Sequence, residues 1–165
     1  MLFRSGQASP TTTTGHRTKS TPKGNVELPL KPLALAIATG ATYVARGFSG
    51  EAKQLAELIA GGMAHRGFAL IDVFSPCVTY NKINTYAWFK ERVYKLEDTG
   101  WDPTNLGNSL QKALEWGDKI PLGLLYKDEQ PIYEDSEPLF KQGPLVKQPL
   151  GIKKELFKEL IDEMI

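Results

Sequence analysis

The segment DVFSPCVTYN, Asp72 to Asn81, carries the only cysteine of the chain, just past an apolar run and a proline. Three chemistries suit a lone thiol at such a place. It is a small buried hydrophobe, a thiolate nucleophile served by a histidine, or one metal ligand whose companions come from elsewhere. Zinc held by this chain alone is disfavoured. Cys77, His16 and His65 show neither CxxC nor HExxH spacing, and tetrahedral sites recruit three or four such ligands. Asp72 raises a second question, because an isolated carboxylate inside the run FALIDVF is expensive to bury and demands water, a cation or a hydrogen-bond partner.

Other chemistries lack their motifs. There is neither a GxGxxG dinucleotide fingerprint nor a GxxxxGK[ST] phosphate loop. The threonine-rich stretch from Gly6 to Gly15 offers hydroxyls to phosphate but not the lysine that makes such loops specific. Ser49 sits in GFSGE, which does not meet the G-x-S-x-G spacing of a nucleophile elbow, and capping of the following helix accounts for it.

The elements that position these residues are legible in outline. After a polar, proline-punctuated opening of about thirty residues, too long for an ordinary internal loop, PLALAIATG reads as a short helix with Pro32 in its first turn and Gly40 as its stop. ATYVARGFS reads as a strand, and EAKQLAELIAGGMAHR as a helix with Leu55, Leu58, Ile59 and Met63 on one face, weakened by Gly61-Gly62. FALIDVF has the near-continuous apolar character of a parallel strand covered on both faces. Together these make a βαβ unit whose second strand ends at Ser75-Pro76-Cys77, and open α/β sheets gather ligands at such strand ends.

Downstream, the spacing predicts a helix from Asn84 to Leu96 and another from Asp102, with Asp102 as cap and Pro103 in the first turn. IPLGLLYK and QPIYED read as strands of a hairpin around Asp128-Glu129. IKKELFKELIDEMI places Ile152, Leu156, Phe157 and Leu160 at helical offsets, a packing face for this chain or a partner. The strand count is low for a complete doubly wound domain, and the opening has no preceding strand to anchor it.

The 165 residues amount to one domain, and their 41% hydrophobic and 24% charged composition is that of a globular protein able to form its own core. One cysteine excludes an intrachain disulfide and favours a reducing, cytoplasmic setting. No stretch approaches the roughly eighteen apolar residues of a membrane span, and the opening residues lack the basic-then-apolar order expected of a secretion signal. Net charge is +1, with residues 1–31 carrying Arg4, Arg17, Lys19, Lys23 and Lys31 against Glu27. That bias suits an anionic small molecule but is too slight for nucleic acid.

Three separated segments, GQASPT, TGATYVARGFSGE and IDVFSPCVTYNK, followed by WDPTNLGNSLQKALEWGDKIPLGLLY, resemble the beta subunit of 2-oxoacid:ferredoxin oxidoreductases from Gly6 to Asp135. The resemblance implies an enzyme that oxidatively decarboxylates 2-oxoacids to acyl-CoA and reduces ferredoxin. It further implies thiamine diphosphate, magnesium and a 4Fe–4S cluster in the complete enzyme, together with an alpha subunit or domain, coenzyme A and a 2-oxoacid as partners. Most of the organic chemistry belongs to the cofactor, and the protein supplies position and electrostatics. Cys77 matches the cysteine that joins three earlier cysteines around iron. Gln7, Ser9 and Thr11 align with the loop bordering the cofactor or acyl-acceptor region. Ser5 stands where some relatives carry lysine, and the family's Gly-Asp-Gly magnesium motif precedes the region this chain matches.

The expected fold is therefore α/β, a partial, open thiamine-diphosphate-binding fold with a mainly parallel sheet, then a short hairpin and a C-terminal helix. Residues 1–32 are read as a cofactor-proximal loop or truncated linker, 33–100 as the α/β portion and 101–165 as a beta-subunit extension. The chain reads as a C-terminal fragment, inactive by itself and dependent on the missing N-terminal beta portion. A noncatalytic subunit-interaction module and a cysteine-dependent enzyme centred on Cys77 are the alternatives.

Overall fold

The computed structural model describes residues 6–149, 151–152 and 154–164; Ser5 lies outside them. The chain divides into two compact units, Met1–Gln130 and Pro131–Ile165.

The first unit is built on β1 (Tyr43–Phe48), whose six residues are all buried. Among the described residues the sheet has four strands in the order β2-β1-β4-β3, with β2 spanning Ala69–Phe74, β3 Val93–Lys95 and β4 Ile120–Lys127. The β1–β2 and β3–β4 pairs are parallel, while β1 and β4 run antiparallel with a register shift at Val44/Ala45. The sheet is open and mainly parallel, as the βαβ reading required.

Alternation along β1 sorts the core into layers. Val44 packs with Leu33 and Ile37 of α1 (Pro32–Ala38) and with Leu125. Ala113 of α4 (Leu106–Leu114) belongs to the same layer. Tyr43 and Ala45 face the other way, onto Leu58 of α2 (Ala52–Ala64). Helices thus cover both faces, and each fully buried leucine contributes roughly 2 kcal/mol. Gly61 does not weaken α2, which runs on to Ala64. A Cβ there would come within 2.7 Å of the Tyr43 hydroxyl, so the glycine lets the helix approach the sheet closely enough for that hydroxyl to donate to Leu58 O at 2.9 Å.

Several local expectations are corrected. Ser49 caps nothing: α2 has Glu51 at its N-cap without a side-chain bond, and Ser49 Oγ instead meets the Tyr86 hydroxyl at 3.1 Å. The predicted helix from Asn84 to Leu96 shrinks to α3 (Tyr86–Lys90), because β4 claims Val93–Lys95 as a parallel neighbour and Arg92 O accepts from Ile120 N. Sheet pairing here overrides helical spacing. Asn105, not Asp102, caps α4, accepting from Asn108 N at 2.9 Å, while Asp102 closes a local turn on Thr104 N and Oγ1. No hairpin forms at Asp128-Glu129, since both edges of β4 are already taken by β1 and β3, and the QPIYED stretch contains a helical turn, α5 (Tyr133–Ser136). β2 is half-buried rather than covered throughout, with only Phe74 fully inside.

In the second unit, α6 (Lys154–Asp162) has no buried residue. Leu156, Phe157 and Leu160 are exposed there, Phe157 by 55%, so core burial does not explain the stripe.

Candidate functional site

β1 and β2 are parallel and end together, at Phe48 and Phe74. The chain leaves β2 through Ser75 and Pro76 and turns at Cys77, where Asn81 N donates to Cys77 O at 3.0 Å. Asn81 pins this turn. Its Oδ1 accepts from Ile83 N and Asn84 N, both at 3.0 Å, and its Nδ2 donates to Asn84 Oδ1. The Cys77 thiol is half-buried. Backbone N–H groups of Tyr80 and Thr79, then Asn81, point at the sulfur and hold its pKa below the usual thiol value, with a smaller contribution from Lys82. A sulfur so placed is stabilised as thiolate.

The opening loop reaches the same place. Gly6, at φ +74, lies against the Tyr80 ring, where a Cβ would sit 2.9 Å from the nearest ring carbon. Lys19 Nζ stands 5.4 Å from the centre of that ring. Ser9 Oγ is 3.1 Å from Thr11 Oγ1, Ser9 N donates to Thr12 Oγ1, and Asn25 Nδ2 ties Thr12 O from the buried side. Two motifs about seventy residues apart in sequence, GQASPT and PCVTYN, are thereby folded onto one another.

Between them lies a cavity of about 160 Å³. Its polar wall includes Thr11, Arg46, Asp72, Cys77 and Asn81, and Phe74, Phe89 and Trp116 contribute its apolar wall. Of the residues singled out from sequence for their chemistry, Thr11, Asp72 and Cys77 share this cavity. Gln7 is exposed and Ser9 half-buried, and neither lines it.

Arg46 is the residue that sequence reasoning passed over. It is 4% exposed, and register sets it opposite Asp72 on the neighbouring strand. Its Nε lies 3.9 Å from Asp72 Oδ2 without a hydrogen bond, while its terminal nitrogens donate to Ala113 O at 3.2 Å and Glu115 O at 3.4 Å. Burial lowers its pKa, with Asp72 and Glu115 opposing. Burial likewise raises that of Asp72, with Arg46 opposing. The partner that Asp72 demanded is thus the guanidinium of β1. A legible signal existed: YVARGF buries a charge in an apolar strand just as FALIDVF does, and a βαβ unit brings the two strands side by side.

The groups that the family resemblance implies do not fit this chain's residues alone. A 4Fe–4S cluster takes four thiolates, and the chain has one cysteine. Among the described residues no three His, Cys, Asp or Glu side chains gather where they could hold a metal ion. Asp72 is committed to Arg46, and the hydroxyls of Ser9 and Thr11 are neutral. A cysteine-dependent enzyme whose thiolate is served by a histidine fares no better: neither histidine lines the cavity, and His65 Nε2 is engaged with Thr42 Oγ1 at 2.8 Å.

An open sheet with helices on both faces, and two loops meeting at the ends of parallel strands, defines an open α/β protein of the class that gathers ligands at its strand ends. The C-terminal TPP binding domain of thiamine pyrophosphate enzymes matches residues 4–73, and the C-terminal region of the pyruvate ferredoxin oxidoreductase beta subunit matches residues 77–142. The 2-oxoacid:ferredoxin oxidoreductase subunit beta of Sulfolobus sp is 45% identical over 141 residues, covering 79% of this chain and 46% of that protein. The corresponding subunit of Saccharolobus solfataricus is 45% identical over 134 residues, 75% of this chain and 44% of its own length. A solved 2-oxoglutarate:ferredoxin oxidoreductase from Magnetococcus marinus, with 2-oxoglutarate, coenzyme A and succinyl-CoA bound, superposes with a TM-score of 0.78 at 37% identity, covering 93% of this chain and 52% of that one. The chain belongs to the thiamine-diphosphate-binding family of 2-oxoacid:ferredoxin oxidoreductase beta subunits and matches their C-terminal portion. It spans about half the length of the curated relatives it matches.

Proposed function

We propose that this chain serves as the C-terminal portion of the beta subunit in an enzyme that oxidatively decarboxylates a 2-oxoacid to acyl-CoA and reduces ferredoxin. The observation that carries the reading is the meeting of the Gly6–Thr11 loop with the Cys77 turn, at the ends of β1 and β2. In the complete enzyme, thiamine diphosphate with magnesium would supply the carbon chemistry and a 4Fe–4S cluster would supply the electron-transfer chemistry. Cys77, biased towards ionisation by the N–H groups around it, would be one of the four cluster thiolates, the other three coming from outside this chain. Gln7, Ser9 and Thr11 border the cofactor or acyl-acceptor region. Arg46 and Asp72 hold the wall behind them.

In this reading residues 1–32 form the cofactor-proximal loop, 33–100 the α/β portion and 101–165 the extension. The partners are the upstream portion of the beta subunit, an alpha subunit, ferredoxin, coenzyme A and the 2-oxoacid. The relatives and the substrate-bound Magnetococcus marinus structure support this set. A cytoplasmic location accompanies it, where thiols stay reduced. Among the described residues no helix is long and apolar enough to cross a membrane.

The test is reconstitution. The chain alone is expected to show no ferredoxin-linked 2-oxoacid oxidation, while the chain joined to the upstream portion of a relative and to an alpha subunit shows it, with iron and thiamine diphosphate bound. Turnover by the isolated chain, or none by the reconstituted assembly, would overturn the assignment. A second reading, a noncatalytic subunit-interaction module, is favoured by the exposed apolar face of α6. Stable assembly that takes up neither cofactor would support it.

A further inference from the structure

Charge is spread unevenly over this fold. The two segments that meet at the ends of β1 and β2 are residues 6–31 and 75–90. They carry Arg17, Lys19, Lys23, Lys31, Lys82 and Lys90 against Glu27 alone, a net +5 in a chain of net charge +1, so all other residues together sum to −4. Residues 75–90 contain no acidic side chain.

Three of these lysines stand at the Cys77 turn. Lys19 Nζ lies over the Tyr80 ring at 5.4 Å, Lys82 Nζ donates to Val78 O, and Lys31 lines the cavity that contains Cys77. Among the described residues none of the three pairs with a carboxylate, whereas Arg46, Arg92, Lys95 and Lys112 do. Cations gathered at one place without anions of their own create a positive potential there.

The same turn exposes apolar surface. Val78 and Ile83 are 63% and 60% exposed, and the rings of Tyr80 and Tyr86 are exposed with them. Asn81 is the one buried residue between Val78 and Tyr86, and its bonds to Ile83 N and Asn84 N fix the turn with its neighbours outward. An apolar centre inside a charged rim is the anatomy of a protein docking surface. A small anion would use the lysines but not Val78 and Ile83.

We propose that an acidic electron-carrier protein, a ferredoxin, docks on the Cys77 turn, with Val78, Tyr80 and Ile83 at the centre of the contact and Lys19 and Lys82 on its rim. The surface stands on geometry and charge. The choice of occupant rests on the reading given under Proposed function, in which electrons leave at Cys77, and on relatives that are ferredoxin oxidoreductases by name. Rim charges set encounter rate and orientation more than residence time, which suits a carrier that departs after each transfer. Electron-transfer contacts are at the small end of protein interfaces, within what one turn and its flanking loop can supply.

The experiment titrates the full 165-residue chain, isotope-labelled, with a purified acidic 2[4Fe–4S] ferredoxin in its oxidised form. Amide signals of residues 78–86 and of Lys19 shift or broaden, and affinity falls roughly tenfold between about 20 and about 200 mM salt. Lys19→Glu and Lys82→Glu each weaken binding by about fivefold or more. Lys127→Glu, the same charge change at the far end of β1 opposite Tyr43, alters it by less than about twofold. Ile83→Ser weakens binding at both salt concentrations. Should a variant fail to fold, the signals and salt dependence of the unaltered chain decide.

The proposal is overturned if ferredoxin does not bind, if the affected amides lie elsewhere, or if the two reversals at the turn weaken binding no more than Lys127→Glu. It is also overturned if coenzyme A moves the same amides and displaces ferredoxin, since the patch would then belong to an anionic small molecule. Turnover is a separate readout. In the reconstituted assembly Lys82→Glu should raise the KM for ferredoxin more than it lowers kcat. A KM that does not move overturns the docking and leaves the enzymatic reading standing. Binding at the turn by a chain whose assembly has no activity leaves the docking standing and defeats the enzymatic reading.

Discussion

Arg46 and Asp72 lie opposite one another on adjacent parallel strands, Nε to Oδ2 at 3.9 Å, in the wall of the cavity that also contains Cys77. The guanidinium does more than balance a charge. It bonds Ala113 O and Glu115 O at the end of α4, so one side chain ties β1, β2 and α4 together and sets the approach to Trp116, whose ring packs edge-on against Phe74 at 5.5 Å. A cation at a helix C-terminus is favourably placed, and burial strengthens the effect.

Removing that cation strands a carboxylate and two carbonyls. Arg46→Met is expected to destabilise the first unit by about 3 kcal/mol in urea denaturation. Arg46→Lys is expected to recover little, because an ammonium lacks the planar fork that bonds two carbonyls while facing Asp72. Equal stability of Arg46→Met and the unaltered chain would remove the pair from its structural role.

The same pair has a pH signature. Burial holds the Asp72 carboxyl above its ordinary value of 3.8, against the pull of Arg46. The folded form then keeps its proton more tightly than the unfolded form. Its contribution is complete below about pH 4 and is lost as pH rises through the folded-state pKa. The stability of the unaltered chain minus that of Asp72→Asn should therefore fall as pH rises above about 4, until the folded-state carboxyl has ionised, as read from urea midpoints along that rise. A difference that rises with pH would mean that Arg46 outweighs burial.

Cys77 should behave as a thiol poised by its backbone. Because N–H groups of Tyr80 and Thr79 face the sulfur, the pH midpoint for alkylation by iodoacetamide should lie lower in the folded chain than in the same chain in urea. Lys82→Gln should move that midpoint only slightly, since the lysine contributes least. A midpoint unchanged by unfolding would contradict the arrangement described for the turn.

Capping of α4 gives a direct comparison between the position expected from sequence and the one observed. Asn105→Ala should cost about 1 kcal/mol through loss of the bond to Asn108 N. Asp102→Ala, which breaks only an exposed turn to Thr104, should cost less than half as much. Thermal or urea unfolding of the two variants separates them, and the reverse order would return the cap to Asp102.

Much of this protein was legible in its residues because the informative signals were local or repeated. Pro32 and Gly40 bracket α1, the apolar run at Ala69–Phe74 is a strand, and Cys77 does follow its end. Periodicity failed where a distant segment competed: Val93–Lys95 left a helical pattern because β4 offered hydrogen bonds along its free edge, and QPIYED could not pair back on β4, both of whose edges are taken by β1 and β3. What the sequence determined by itself was the kind of element at most positions and the family motifs they carry. Which residues face one another was decided only in three dimensions, because strand register and helix docking depend on the whole core closing at once. That closure set Arg46 against Asp72, laid Gly6 on Tyr80, and made an interior-type strand the open edge of the sheet.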